Sequence, residues 1–177
     1  MNLITPPPSL TPPGTDQPMV VNCIAYRKDG SRIGDVTLDA ISDVLAEPDT
    51  FVWVGLYEPD ESLLLKIQDE FGLHDLAIED AHAAHQRTKI ETYGDSLFLV
   101  VQTAQLIEGH LAFGETHIFF GPRYLVTVRH GASQSYAPAR RTCEHAPDLL
   151  ANGPSYALYG VLDFIVDNLL PIVRDFR

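Results

Sequence analysis

The sequence predicts an α/β (α+β) fold, a mixed β-sheet flanked by helices that ends in the start of a long stalk helix. A chain of 177 residues with 45% hydrophobic and 20% charged residues has the size and composition of a globular domain with a buried core. Segments with the patterns of strands and of amphipathic helices alternate along it, which is typical of a sheet covered by helices.

The chain divides into three predicted parts. Residues 1–18 contain six of the 13 prolines and lack a periodic apolar pattern, so they are expected to form a disordered, extended tail. Residues 19–154 are predicted to be the α/β domain. Residues 155–177 are predicted to be the start of a long helix, cut off within its length.

The first half of the domain contains strand and helix signals in turn. Val20–Arg27 alternates and predicts a strand, and the following KDGS and RIGDV segments predict a turn and a second strand of a hairpin. TLDAISDVLAEP indicates a short helix. The nearly continuous β-prone run Phe51–Tyr57 predicts a strand that is covered on both faces.

Two helices and a set of strands follow. In EPDESLLLKIQDEFGL the apolar residues recur every three or four positions, which predicts an amphipathic helix with Gly72 as its C-terminal cap. A shorter helix is predicted to begin near Asp75. Residues 88–131 indicate three or four strands separated by turns at EGH and GPR, and helix returns at Tyr136–His145.

The last segment carries a heptad pattern, which indicates a helix that packs against other helices. Its apolar positions are Leu158, Leu162, Ile165, Leu169, Ile172 and Phe176. Pro171 is expected to bend this helix or to break it locally.

Charge and motifs exclude several functions. With 12 Lys and Arg against 24 Asp and Glu, the net charge of -12 disfavours a nucleic-acid partner and favours cations. The sequence has no nucleophile elbow and no phosphate-binding glycine loop, so no enzyme is indicated. The longest strongly apolar run, Leu97–Ile107, is shorter than the roughly 20 residues of a membrane span, and the chain as given is not expected to cross a bilayer.

Acids and histidines are concentrated in the short helix near Asp75. Glu79 and Asp80 offer carboxylate oxygens, which suit Mg2+ because this ion keeps several waters and needs only one or two carboxylates. His82 and His85, three residues apart, are predicted to share a helix face. They could bind Zn2+, but no third ligand is evident, and an exposed helix face is the simpler interpretation.

A second pair of acids lies on the final helix. Asp163 and Asp167 are four residues apart, so they project from the same face and repel each other. A cation between or opposite them would relieve this repulsion, whereas in a monomer both would simply face solvent. His117, in an alternating strand, is expected to face solvent or to cap the sheet.

Taken in order, several segments resemble the cytosolic N-terminal domain of the CorA family of magnesium and cobalt transporters. They are the FGLH, IED, HQR and Lys run of residues 71–89 with its following strand, the strand segment GETHIFFG, and the LYGVLDFIVDN segment. The resemblance covers roughly residues 20–177. Thr88 stands where the family commonly has proline, a departure that affects only the local turn.

The resemblance implies a homopentameric funnel on the cytoplasmic side of the cell (inner) membrane, joined to the membrane through a C-terminal part that this chain lacks. It also implies that Mg2+, with Co2+ or Zn2+ as possible substitutes, binds between neighbouring domains and favours the closed pore. The implied ligands are Asp80, with Glu79 beside it, and an acid of the stalk helix at or near Asp167, which pairs with Asp163.

Three other interpretations stay open at this point. One is a zinc transporter of the same superfamily, for which His82, His85 and His117 are the best support. Another is a stand-alone metal-dependent hydrolase. The last is a structural oligomerisation domain whose acids only keep the assembly soluble.

Overall fold

One seven-stranded mixed sheet organises the protein in the computed structural model, which describes residues 18–175. Its strands are β1 (Val20–Arg27), β2 (Arg32–Asp35), β3 (Thr50–Tyr57), β4 (Lys89–Tyr93), β5 (Ser96–Ile107), β6 (His110–Gly121) and β7 (Tyr124–Gly131). Across the sheet the order is β2-β1-β3-β7-β6-β5-β4, with β3 and β7 parallel and the other neighbours antiparallel. The predicted fold class is confirmed, while the predicted tail, except for residue 18, lies outside the described residues.

Helices cover both faces of this sheet. The helices of one face, called the α3 face, are α1 (Ile41–Ala46), α2 (Glu61–Phe71) and α3 (Asp75–His82). Those of the other, called the α6 face, are α4 (Ala137–Glu144), α5 (Pro147–Leu150) and α6 (Pro154–Asp175). Along β3, Val52 and Val54 join the core of the α3 face and Trp53 joins the core of the α6 face. Residues 51–56 are therefore all buried, as the sequence predicts.

The ends of α2 follow from its sequence. Before the helix, the Asp60 carboxylate accepts a hydrogen bond from the Leu63 N–H at 2.8 Å, which satisfies one of the otherwise unpaired donors of the first turn. After it, Gly72 adopts the left-handed conformation with φ of 65°, as predicted for a C-terminal cap. Leu63, Leu64 and Ile67 are buried, which confirms the predicted apolar face.

The buried stripe of α6 differs from the predicted one. Its buried residues are Pro154, Ala157, Val161 and Ile165. Of the predicted positions that the structure describes, only Ile165 is among them, and Phe176 lies outside the described residues. The partly buried predicted positions are Leu158, Leu162, Leu169 and Ile172. The reason is that α6 packs on the sheet as well as against α4 and α5, so a ridge of smaller side chains lies at the centre of the contact and the leucines flank it.

α6 is also the most apolar long helix among the described residues. It runs without a break through Pro171 to Asp175. By length and composition it is the one helix in residues 18–175 that could cross a membrane, with a mean hydropathy of 1.5, whereas Leu97–Ile107 lies in β5. Val161 and Ile165 nevertheless belong to the core beneath the sheet, so this part of α6 is a core helix of the domain.

The β1–β2 turn touches α5 at Gly30. This residue has φ of 82°, and a Cβ added to it would lie 2.0 Å from the carbonyl oxygen of Pro147. We expect Gly30→Ala to lower the free energy of unfolding by about 1–3 kcal/mol more than Gly94→Ala, measured by urea unfolding. Gly94 is the matched control, because its φ is 62° and no described atom lies within 4 Å of its added Cβ. Equal losses in the two variants would contradict the contact with α5.

Candidate metal centre

α3 presents the first pair of candidate ligands. The helix starts at His74, whose Nδ1 accepts a hydrogen bond from the Leu76 N–H at 3.2 Å and so caps the first turn. Its buried residues are Ala77, Ile78 and Ala81. With this face against the sheet, Glu79 is exposed and Asp80 lies at the edge of the contact, with 28% of its side chain exposed.

Asp80 is held by a lysine on the neighbouring strand. The Lys89 ammonium donates to Asp80 Oδ2 at 2.5 Å and to Glu91 Oε1 at 2.9 Å. The hydrogen bond to Asp80, followed by that to Glu91, raises the pKa of Lys89, and the bond from Lys89 lowers the pKa of Glu91. Lys89 therefore stays charged at neutral pH and neutralises part of the negative charge at this point.

α6 presents the second pair of candidate ligands. Asp163 and Asp167 are both exposed and stand one helical turn apart. Because α3 and α6 cover opposite faces of the sheet, the acids of α6 are separated from Asp80 of the same chain by the sheet itself. The structure therefore does not bring the two predicted pairs together within one copy.

The carboxylates of α3 and α6 have the right chemistry for a hard cation, but neither pair forms a complete site by itself. Over residues 18–175, no group of three or more His, Cys, Asp or Glu side chains is arranged to hold a metal ion. Carboxylates are nevertheless the ligands that Mg2+ accepts, and one or two of them with several waters are sufficient. A site that combines the acids of α3 with those of α6 requires two copies of the chain.

The two histidines near Asp80 do not form the predicted pair. α3 ends at His82, and His85 has φ of 72°, so it lies outside the helix. The prediction that they share a helix face is wrong, because the helix stops before a turn can bring them into line. Both side chains are exposed, as the simpler interpretation requires.

His117 is not at the surface, and the prediction that it faces solvent or caps the sheet is wrong. Its side chain is fully buried, with Nε2 2.9 Å from Glu115 Oε1 and the ring edge-on against Phe98. Burial lowers the pKa of His117, and His130 lowers it further, against the opposing effect of Glu115. The alternating pattern places His117 on the α3 face, where α3 covers the strand and excludes water.

Two features of this region were not predicted from the sequence. Lys89 lies just after the HQR segment in the sequence, but its place beside Asp80 depends on the packing of α3 against the strand pair β4 and β5. A cluster of His117, His130, Glu115 and Glu58 lies beneath α3. Its members come from β6, from β7 and from the residue that follows β3, so no local motif predicts the cluster, although the alternation of Glu115 and His117 is a usable signal.

Comparison with known proteins gives a consistent result. Residues 48–177 match the sequence model of a family described as CorA-like Mg2+ transporter protein. The chain is 28% identical over 155 residues to YfjQ of Bacillus subtilis (strain 168), which bears the name of a metal ion transporter. That alignment covers 87% of this chain and 47% of YfjQ.

Solved structures with a similar fold include the full-length CmaX protein, with a TM-score of 0.69 at 14% identity over 88% of this chain and 48% of CmaX. The soluble domain of CorA from Methanocaldococcus jannaschii gives 0.61 at 14% identity, over 90% of this chain and 62% of that one. The ZntB cytoplasmic domain from Vibrio parahaemolyticus RIMD 2210633 gives 0.59 at 12% identity, over 90% and 64%. At these low identities the TM-scores show a shared fold and nothing further. The chain spans about half the length of YfjQ and CmaX.

Proposed function

The chain belongs to the CorA-like family of metal ion transporters, and from that premise we propose that it is the cytoplasmic, cation-sensing domain of a divalent-cation transporter in the cell membrane. Members of the family are transporters and not enzymes, so the hydrolase interpretation is set aside. The transported ion in this proposal is Mg2+, with Co2+ as the closest substitute.

The proposed sensor is a site shared by two copies in a homopentamer. Asp80, with Glu79 beside it, faces Asp163 and Asp167 of the next copy, and Mg2+ bridges the two sets. The observation that carries this proposal is the placement of the two acid pairs on opposite faces of one sheet. Carboxylates on opposite sides of a subunit can meet only across an interface. Without the ion they repel each other, and with it they join the copies and favour the closed pore.

In this proposal Lys89 is the partner of Asp80 when no ion is bound. In the absence of the ion its ammonium occupies Asp80 and limits the repulsion between copies. Mg2+ must displace it, so the lysine lowers the affinity and makes the site respond only to high concentrations of the ion.

Lys89→Gln is therefore expected to tighten Mg2+ binding by about tenfold, because it removes a positive charge roughly 4 Å from the bound ion. Isothermal titration of the chain with MgCl2 measures the change. The matched control is Lys66→Gln, since Lys66 also pairs with a carboxylate on the α3 face, but that carboxylate is Asp39 and not Asp80. Unchanged or weaker binding in Lys89→Gln would contradict the role given to this lysine.

A titration of the wild-type chain tests the function itself. Millimolar Mg2+ is expected to raise Tm and to shift the chain towards oligomers in sedimentation velocity, because an ion that binds the folded assembly stabilises it. If the domain serves only for assembly, oligomers form to the same extent with and without the ion. That outcome would overturn the sensing role.

The zinc interpretation has its own prediction in the same titration. Zn2+ would have to stabilise the chain more than Mg2+ does, and this excess would have to disappear when His82 and His85 are both replaced by alanine. No observation favours this outcome, because the two exposed side chains do not share a helix and His117 is fully buried.

A further inference from the structure

His130, at the end of β7, is held between two hydrogen-bond acceptors. Its Nε2 lies 3.0 Å from the carbonyl oxygen of Ala81 in the last turn of α3, and its Nδ1 lies 3.1 Å from Oε2 of Glu58. A carbonyl and a carboxylate oxygen both accept, so each ring nitrogen must donate a hydrogen. Both hydrogen bonds form together only when each ring nitrogen carries a hydrogen, so this geometry favours the imidazolium form of His130, paired with Glu58 and fixed to α3.

His117, the neighbouring ring on β6, is in the opposite situation. The two ring centroids are 5.1 Å apart. His117 Nε2 donates to Glu115, whereas its Nδ1 is buried and has no hydrogen-bond partner among the described residues. A proton added at Nδ1 would create a buried donor without an acceptor beside an existing imidazolium. His117 is therefore neutral in this arrangement, and the pair holds one proton beyond the neutral state.

The same cluster anchors the connection that follows α3. Gln102 on β5 donates through Nε2 to the Gln86 carbonyl at 2.8 Å and to Glu115 Oε2 at 3.3 Å. His130 holds the carbonyl of Ala81 at the other end of the segment. Residues 83–88 have no regular secondary structure, and these two bonds attach the chain to the sheet just before this connection, at Ala81, and within it, at Gln86.

Charged groups approach the two rings from every neighbouring element. Glu115 lies on the same strand as His117, Glu58 follows β3, and Asp80 acts on His117 from α3. Lys89 on β4 lies over the Phe98 ring, with Nζ 5.8 Å from its centroid, and that ring contacts His117. The carboxylates favour protons here, but no atom of the described residues supplies an acceptor for His117 Nδ1.

We propose that the His117–His130 pair is a proton-binding switch, which holds the end of α3 and residues 83–88 on the sheet with one proton bound and releases them when a second proton binds. The second proton forces the His117 ring to move away from His130 so that its Nδ1–H can reach water. This movement breaks the packing over the Ala81 and Gln86 anchors. The consequence that acid weakens cation binding at Asp80 rests on the proposed function, whereas the switch itself does not.

NMR of the 177-residue chain in buffer free of divalent cations, with chelator, tests the switch independently of metal binding. The chain and the variants below all carry His82→Gln and His85→Gln, so that no imidazole within residues 81–88 titrates. At pH 7.5, long-range 1H–15N spectra are expected to show both ring nitrogens of His130 protonated and His117 as the neutral Nε2–H tautomer. On acidification to pH 5.0, the backbone amides of residues 81–88 are expected to shift together with the His117 ring. A neutral His130 ring at pH 7.5, or amides that stay unchanged, would overturn the proposal.

Two variants separate the switch from general acid effects. His117→Gln keeps a donor to Glu115 and cannot titrate, so the shifts of residues 81–88 are expected to be lost. His110→Gln is the matched control, because His110 is exposed at the start of β6, and it is expected to keep them. If both variants titrate like wild type, the switch is rejected.

Thermal unfolding gives a second readout that does not need NMR assignments. Because burial places the pKa of folded His117 below the usual value of 6.5, the unfolded chain binds more protons than the folded chain as pH falls below 6.5. The stability that neutral, buried His117 contributes is therefore fully present above pH 6.5 and decreases as the pH falls below this value. Between pH 6.5 and 5.0 the fall in Tm is expected to be smaller in His117→Gln than in wild type and in His110→Gln, and an equal fall in all three contradicts the switch.

Discussion

Val161→Asp is expected to lower the free energy of unfolding by at least about 4 kcal/mol, because it places an unpaired carboxylate in the core between α6 and the sheet. Val161 is fully buried in that core. For a chain of this size, the loss corresponds to a fall in Tm of about 8–16 °C, measured by circular dichroism. The substitution tests whether α6 is part of the folded domain or only a stalk attached to it.

Val166→Asp is the matched control for this substitution. It introduces the same residue into the same helix, but Val166 is 53% exposed. Its expected effect is within about 0.5 kcal/mol. Similar stabilities of the two variants would show that the sheet does not bury the face of α6 that contains Val161.

Asp80→Asn is expected to abolish the stabilisation by Mg2+. At a Mg2+ concentration 100 times Kd, the wild-type chain gains about 2.7 kcal/mol, and the variant gains nothing that calorimetry can resolve. Without the ion the variant loses only the partly exposed contact with Lys89, which contributes about 1 kcal/mol or less. The large loss of stability in Asp80→Asn is therefore expected only when Mg2+ is present, because folding itself is little affected.

Asp43→Asn controls for general charge effects. Asp43 is an exposed carboxylate of α1, on the α3 face like Asp80. With a net charge of -12, any removed negative charge weakens nonspecific attraction of cations slightly. Only Asp80→Asn is expected to lose the response to Mg2+, and equal losses would show that the ion acts through overall charge alone.

The sequence predicts strands and helices well where one local signal dominates. Phe51–Tyr57 is β-prone throughout, and Gly72 marks the C-terminal end of α2 because glycine readily adopts the left-handed conformation. The buried stripe of α6 is predicted less well, because heptad spacing assumes a helix as the partner. The partner includes a sheet, whose surface selects the smaller side chains Ala157 and Val161 instead.

The sequence also predicts the candidate site only in part. Resemblance and spacing select Asp80 and Asp167, but no local pattern reveals that α3 and α6 occupy opposite faces, since this depends on the strand order. His117 was expected at the surface because alternation alone does not say which face is covered. Lys89 meets Asp80, and His130 meets the Ala81 carbonyl, only when α3 packs against the paired strands.

A mixture of two variants tests the central claim that acids from different copies share one cation. Asp80→Asn and the double variant Asp163→Asn/Asp167→Asn each lack one half of the proposed site. In a mixture, some neighbours combine an intact Asp80 with intact acids of α6. We expect sedimentation velocity to show no Mg2+-dependent association for either variant alone and recovered association, at reduced yield, for the mixture. Association that persists in both variants alone, or a mixture that recovers none, would contradict the shared site.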